Sequence, residues 1–186
     1  MENLVKLNEI KNNNGEYAKL LDNNQKLYNI VYSSVMDNQY DYLNEILDPI
    51  RDGVRYHIDL EYGGGNYIEV RDIRKFVEGM QDVQICYGIL DEEQAQKIVE
   101  AMNMLEKLDE LDVYSKQYGK LEDDILSKSQ VIASYLLEQV GYVEIDDSML
   151  IDELENCIEW GYNNLDNVYC DLETYKAYEY VGYREM

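Results

Sequence analysis

Apolar residues recur at three- and four-residue steps over most of this chain, and the pattern switches once, between Leu47 and Arg71. That switch constrains the fold more than any other feature. Ahead of it, Tyr17, Leu20, Leu21, Leu27, Tyr28, Val31 and Val35 form one helical stripe within residues 16–36. Leu43, Ile46, Leu47 and Ile50 continue the same spacing, until Pro49, the only proline, and Gly53 end or bend the helix. The period then becomes two: Val54, Tyr56, Ile58, Leu60 and Tyr62 alternate with Arg55, His57, Asp59 and Glu61. Gly63, Gly64 and Gly65 follow, and a second alternating run leads from Asn66 to Arg71. Two such runs joined by glycines predict an antiparallel β-hairpin over residues 54–71. A lone hairpin is marginal in water, so helices must cover one of its faces.

Helical spacing returns after Asp72. Ile73, Phe76, Val77 and Met80 form a stripe to about Cys86, and Asp91 with Gln94 makes a capping box that opens a helix through Leu108. Tyr118, Leu121, Ile125, Ile132, Tyr135 and Leu136 mark a further helix ending near Gly141. Another runs from about Ser148 to Trp160, with Leu150, Leu154, Cys157 and Ile158 inward. Residues 163–186 fit a short helix and extended segments equally. The expected fold class is α+β, predominantly helical, with the single hairpin packed on helices. A length of 186 residues fits one domain over 1–186. A two-lobe arrangement, 1–90 with the hairpin and 91–186 as an acidic helical part, is the alternative.

Charge narrows the partners. The chain has 39 acidic and 16 basic side chains, a formal net charge of −23. A phosphate-tracking protein needs basic stripes to displace counterions, so direct nucleic-acid binding is not expected. Attachment to anionic lipid is disfavoured for the same reason. With 46% apolar residues a core is affordable, so the acidity does not signal a disordered tail. Residues 101–186 hold 20 acids against 6 bases, and ten carboxylates between Asp146 and Glu179 face Lys176 alone. These are Asp146, Asp147, Asp152, Glu153, Glu155, Glu159, Asp166, Asp171, Glu173 and Glu179. Asp146 and Asp147 fit a helix N-terminus, where a negative charge meets the dipole. Asp152, Glu155 and Glu159 do not: like charges three and four residues apart weaken a helix. Their steps advance about 4.5–6 Å along the axis, comparable with the spacing of phosphates that a nucleic-acid cleft reads. The bland reading of the same run is a solvated acidic face.

Conventional catalysis finds little support. His57 is the only histidine and falls on the polar face of the first strand, and no nucleophile signature accompanies it. The histidine count and the separation of Cys86, Cys157 and Cys170 argue against a zinc site. Glu122-Asp123-Asp124 and Asp91-Glu92-Glu93 lack the pattern of a calcium loop, and Gly63-Gly64-Gly65 leads into a strand rather than a helix that would cradle phosphate. No metal or other cofactor is therefore expected. The chain opens without the pattern of a secretory signal, and no apolar run approaches the ~18 residues of a membrane span. Reduced, mostly buried thiols in the cytoplasm are the expectation.

Nineteen tyrosines stand against one Phe and one Trp, supplying half-exposed rings with wettable hydroxyls. Small, acidic, tyrosine-bearing chains without catalytic residues resemble the DNA-mimic anti-defence proteins of phages and mobile elements, including anti-CRISPR proteins and antirestriction proteins of the ArdA kind. The resemblance lies in composition. It implies a non-enzymatic inhibitor that places its acidic surface in the basic channel of a CRISPR or restriction nuclease, in the cytoplasm of the host bacterium. The ten carboxylates of 146–179 are the expected partner-binding residues. Arg55, Arg71 and Arg74, on the basic flank of the hairpin, form a secondary contact. The alternative is a structural or adaptor protein that binds a partner through tyrosine-rich helical faces, on which a homodimer would also form.

Overall fold

The computed structural model describes residues 4–58, 65–141 and 144–186. The fold is α+β and predominantly helical. In chain order it comprises β1 (Leu4–Lys6), α1 (Glu16–Asn23), α2 (Gln25–Leu47), β2 (Val54–His57), β3 (Tyr67–Val70), α3 (Ile73–Tyr87), α4 (Glu92–Asp109), α5 (Lys116–Val140), α6 (Asp147–Trp160), β4 (Val168–Asp171), β5 (Lys176–Glu179) and β6 (Arg184–Glu185). Short 3-10 turns occupy Leu7–Glu9, Asp48–Gly53 and Tyr162–Asn167. Two compact units result, and the division is not sequential. Residues 1–39 and 144–186 form the first unit, 40–143 the second.

The first unit is built on a four-stranded antiparallel sheet, in the order β1-β4-β5-β6. The N-terminal strand pairs with a strand near the C-terminus, Leu4 opposite Asp171, which is why the two ends of the chain share one unit. The expected hairpin is thus joined by a second sheet, and residues 163–186 resolve into a 3-10 turn followed by strands. Val168, Cys170 and Ala177 turn from the sheet into a core with Leu20, Leu27, Val31, Leu150, Leu154 and Cys157. The single stripe read over residues 16–36 is two helices: Asn24 breaks it in an extended conformation, while the apolar spacing continues on either side.

In the second unit β2 and β3 form the antiparallel hairpin, with Val54 opposite Val70 and His57 opposite Tyr67. The hairpin's residues 59–64, with Gly63 and Gly64, lie outside the described residues. Helix α5 covers β3, and the Gln130 side chain completes the strand's free edge. Its amide nitrogen donates to the Ile68 carbonyl at 2.6 Å and its oxygen accepts from the Val70 N–H at 3.2 Å. Pro49 ends the preceding helix in the turn Asp48–Gly53, against which α3 packs with backbone in contact. At Gly79 a methyl group would overlap the Pro49 carbonyl, and only glycine permits that approach. Phe76, Val77 and Met80 fill the core from α3, and Ile98, Leu105, Ile125, Ile132 and Leu136 from α4 and α5.

Candidate functional site

The carboxylate run of 146–179 falls entirely in the first unit, centred on α6. The helix opens at Asp146, whose carboxylate accepts from the Ser148 hydroxyl at 2.6 Å and the Met149 N–H at 3.0 Å. Those donors, the hydroxyl first, hold the Asp146 carboxyl below its ordinary range. Gly161 closes the helix in the left-handed region at φ 66°. Leu150, Leu154 and Cys157 point into the core, so the opposite face must look outward. Asp152, Glu155 and Glu159 are exposed along that face, and no ion pair engages them among the described residues. Glu155 and Glu159 also press on Tyr17: burial first, then their charges, raises its hydroxyl above its ordinary value.

The remaining six carboxylates serve different ends. Asp147, Asp166 and Glu173 are exposed. Asp171 is half-buried at the end of β4 and accepts from the Glu173 N–H at 2.9 Å, the largest cause of its lowered carboxyl range. Glu179, at the end of β5, pairs with Lys26. Lys176, the one base inside the run, pairs with Glu185 at 2.5 Å and neutralises none of the ten. Glu153 turns inward and is only 9% exposed. It accepts from the Ser34 hydroxyl at 2.5 Å and the Asn38 amide at 3.3 Å, so it belongs to a polar cleft rather than to the outer face.

Arg55, Arg71 and Arg74 of the second unit are exposed, and two of the three are already engaged. Arg71 pairs with Glu69 at 3.1 Å. Arg74 pairs with Asp109 at 2.6 Å and lies 3.9 Å from Glu78. Arg55 stands opposite Glu69 across the hairpin. A surface already matched in sign offers a partner little net charge. Charge itself divides almost evenly: the first unit carries 17 acids against 6 bases and the second 22 against 10. The concentration read near the C-terminus is therefore local to the α6 face and does not set one unit apart.

His57 is exposed at the end of β2, with its ring 6.1 Å from that of Tyr67. Glu122, Asp123 and Asp124 are exposed on α5, and Asp123 lines a groove of about 800 Å³ with Glu69 and Glu138. No three His, Cys, Asp or Glu side chains converge in a metal-binding arrangement among the described residues. Of the cysteines, Cys86 is exposed, whereas Cys157 and Cys170 are buried. Burial pushes the Cys170 thiol up to about 12, which keeps it protonated and unreactive. Among the described residues no helix is long and apolar enough to cross a membrane.

One surface has no counterpart in the sequence patterns. The rings of Tyr169, Tyr180 and Tyr183 meet at centroid distances of 5.9–6.3 Å. Val181 beside them is 77% exposed. The alternation of β4 places Tyr169 on the face away from the core, but the other two rings reach it through a turn in which Gly182 and Tyr183 both take positive φ. Tyrosines thus gather on the sheet as well as on a helical face, where Tyr28 and Tyr32 of α2 stack at 5.9 Å. Compared with family models, curated proteins and solved structures, the chain matches none.

Proposed function

We propose that this protein is a non-enzymatic inhibitor that acts as a nucleic-acid mimic. The outer face of α6, with Asp147, Asp166 and Glu173 around it, occupies the basic nucleic-acid channel of a bacterial defence nuclease, a CRISPR effector or restriction complex, in the host cytoplasm. The observation that carries this reading is the unpaired, exposed row Asp152, Glu155 and Glu159. Folding gains nothing from that row. Neighbouring carboxylates repel one another along the helix, and each would be more stable opposite a lysine. A channel lined with Lys and Arg removes the repulsion and steers association from a distance. The proposed contact is tested by immobilising the protein, exposing it to bacterial lysate, and challenging the captured material with salt and with duplex DNA. Release of a DNA-binding nuclease by both is expected. A partner held through high salt and indifferent to DNA contradicts the mimic.

The exposed Tyr169, Tyr180 and Tyr183 cluster favours the second reading, an adaptor that binds a neutral protein surface. Aromatic contacts of that kind depend on buried area and change little with ionic strength. Loss of capture on replacing Tyr180 and Tyr183 by Ser, with the α6 carboxylates intact, would support it.

A further inference from the structure

Behind the acidic face lies a cleft of about 470 Å³ between α2 and the end of α6, lined by Ser34, Asn38, Glu153, Asn156, Trp160 and Asn163. We propose that this cleft receives the guanidinium of an arginine side chain presented by the basic partner, with Glu153 as its counter-charge. The proposal rests on the mimic reading and deepens it, from a diffuse acidic surface to one specific contact.

Glu153 carries the argument. The residue is nine-tenths buried, yet its partners among the described residues are all neutral. Among the described residues, besides the hydroxyl of Ser34 and the amide of Asn38, only the Cys157 thiol approaches, at 3.6 Å. Burying a carboxylate without a cation is costly, and two or three neutral donors leave part of its acceptor capacity unused. Lys26 lines an adjoining cleft with Asp37, and it is committed to Glu179. The charge is therefore open to a cation from outside.

The rest of the lining selects the cation. Asn163 sits in the left-handed region at φ 61° and donates its amide to the Cys157 sulfur at 3.4 Å, which leaves its amide oxygen as an acceptor. Asn156 adds another amide at the exposed edge of α6. A guanidinium has five donors in a flat fork and so uses several acceptors at once, whereas an ammonium uses one point of charge. Trp160 stands 70% exposed at the mouth, where its ring can lie against a planar cation. Folding alone leaves such a large ring in water.

Trp160 is the only tryptophan in the chain, so its fluorescence reports on this cleft alone. The probe is N-acetyl-arginine amide titrated into the intact protein, with the citrulline analogue as the neutral control. A saturable change with the arginine probe and none with citrulline is expected, with Glu153→Gln weakening binding roughly tenfold or more. Side-chain amide resonances of Asn156 and Asn163 recorded in the same titration keep the test valid on the unsubstituted protein. Equal responses to the two probes, or silence in both signals, overturn the proposal. Partner capture then separates the two readings. Capture lost on reversing Asp152, Glu155 and Glu159 but retained in Glu153→Gln overturns the cleft as a partner contact and leaves the acidic face standing. A saturable arginine response when no salt-sensitive partner is captured supports the cleft and counts against the mimic.

Discussion

Asn24 is fully buried, and every polar atom of its side chain is used. Its amide donates to the Leu20 carbonyl at 2.6 Å and the Tyr175 carbonyl at 2.8 Å, and its oxygen accepts from the Ala177 N–H at 2.6 Å. One side chain thus breaks a helix and fastens the break to the β4–β5 turn. It also helps hold Tyr175 at φ 54°, where a non-glycine residue is strained. The Lys19 ammonium, 4.8 Å from the centre of the Tyr175 ring, adds a second hold. Asn24→Ala strands these backbone groups, and a loss of about 3 kcal/mol or more is expected in urea unfolding. Asp146 gives a pH signature. Its carboxyl titrates below the ordinary value of 3.8 in the folded chain, so its contribution is full above that value and is lost as pH falls through the folded pKa. Asp146→Asn keeps a capping oxygen but removes the titration. Thermal melts from pH 7 to 3 should therefore show a smaller acid-induced loss in that variant than in the parent chain.

At the scale of the element, the proposed mimic sets the stability of α6 against its binding. Glu155 has a like charge three residues before it and another four residues after it, so Glu155→Lys turns two repulsions into two attractions. The substitution should raise stability by about 0.5–1 kcal/mol in denaturant unfolding while weakening partner capture, since i,i+3 and i,i+4 pairs change sign together. A variant that is both less stable and fully active would contradict the account of this face. The helices α3 to α6 are legible in the sequence because their apolar stripes, and the caps Asp72, Asp91 and Asp146 of three of them, act locally. The hairpin is legible for the same reason, by its change of period. The four-stranded sheet is not, because β1 and β4 are paired across almost the whole chain and each is short. The tight turn at Tyr175 also lacks the Gly or Asn that usually marks a positive φ. Within the site, the sequence reveals the row Asp152, Glu155 and Glu159, since helical spacing defines a face. Composition groups Glu153 with the acidic surface, but it stands three residues after Leu150 and four before Cys157, on the inward stripe; only its partners on α2, more than a hundred residues away, are beyond the reach of helical spacing.

For the molecule as a whole, a net charge of −23 works against compaction and in favour of encounter with a basic partner. Both units share that charge, yet their surfaces differ in kind. Arg71 and Arg74 in the second unit are matched by carboxylates, whereas the α6 face of the first has no cation of its own. On the proposed mimic reading, long-range attraction acts on the entire chain, while the specific contact centres on α6. The most direct measurement is the affinity of the captured partner as a function of salt, for the parent chain and for the triple variant Asp152→Lys, Glu155→Lys, Glu159→Lys, each checked for an unchanged far-UV spectrum. Affinity in the parent chain should fall steeply between roughly 50 and 300 mM salt, where the screening length shortens below about 10 Å. The triple variant should bind at least about a hundredfold more weakly at the lower salt and show a shallower dependence. Parent and variant binding with the same affinity and the same salt dependence would contradict the claim that this face is what the partner grips.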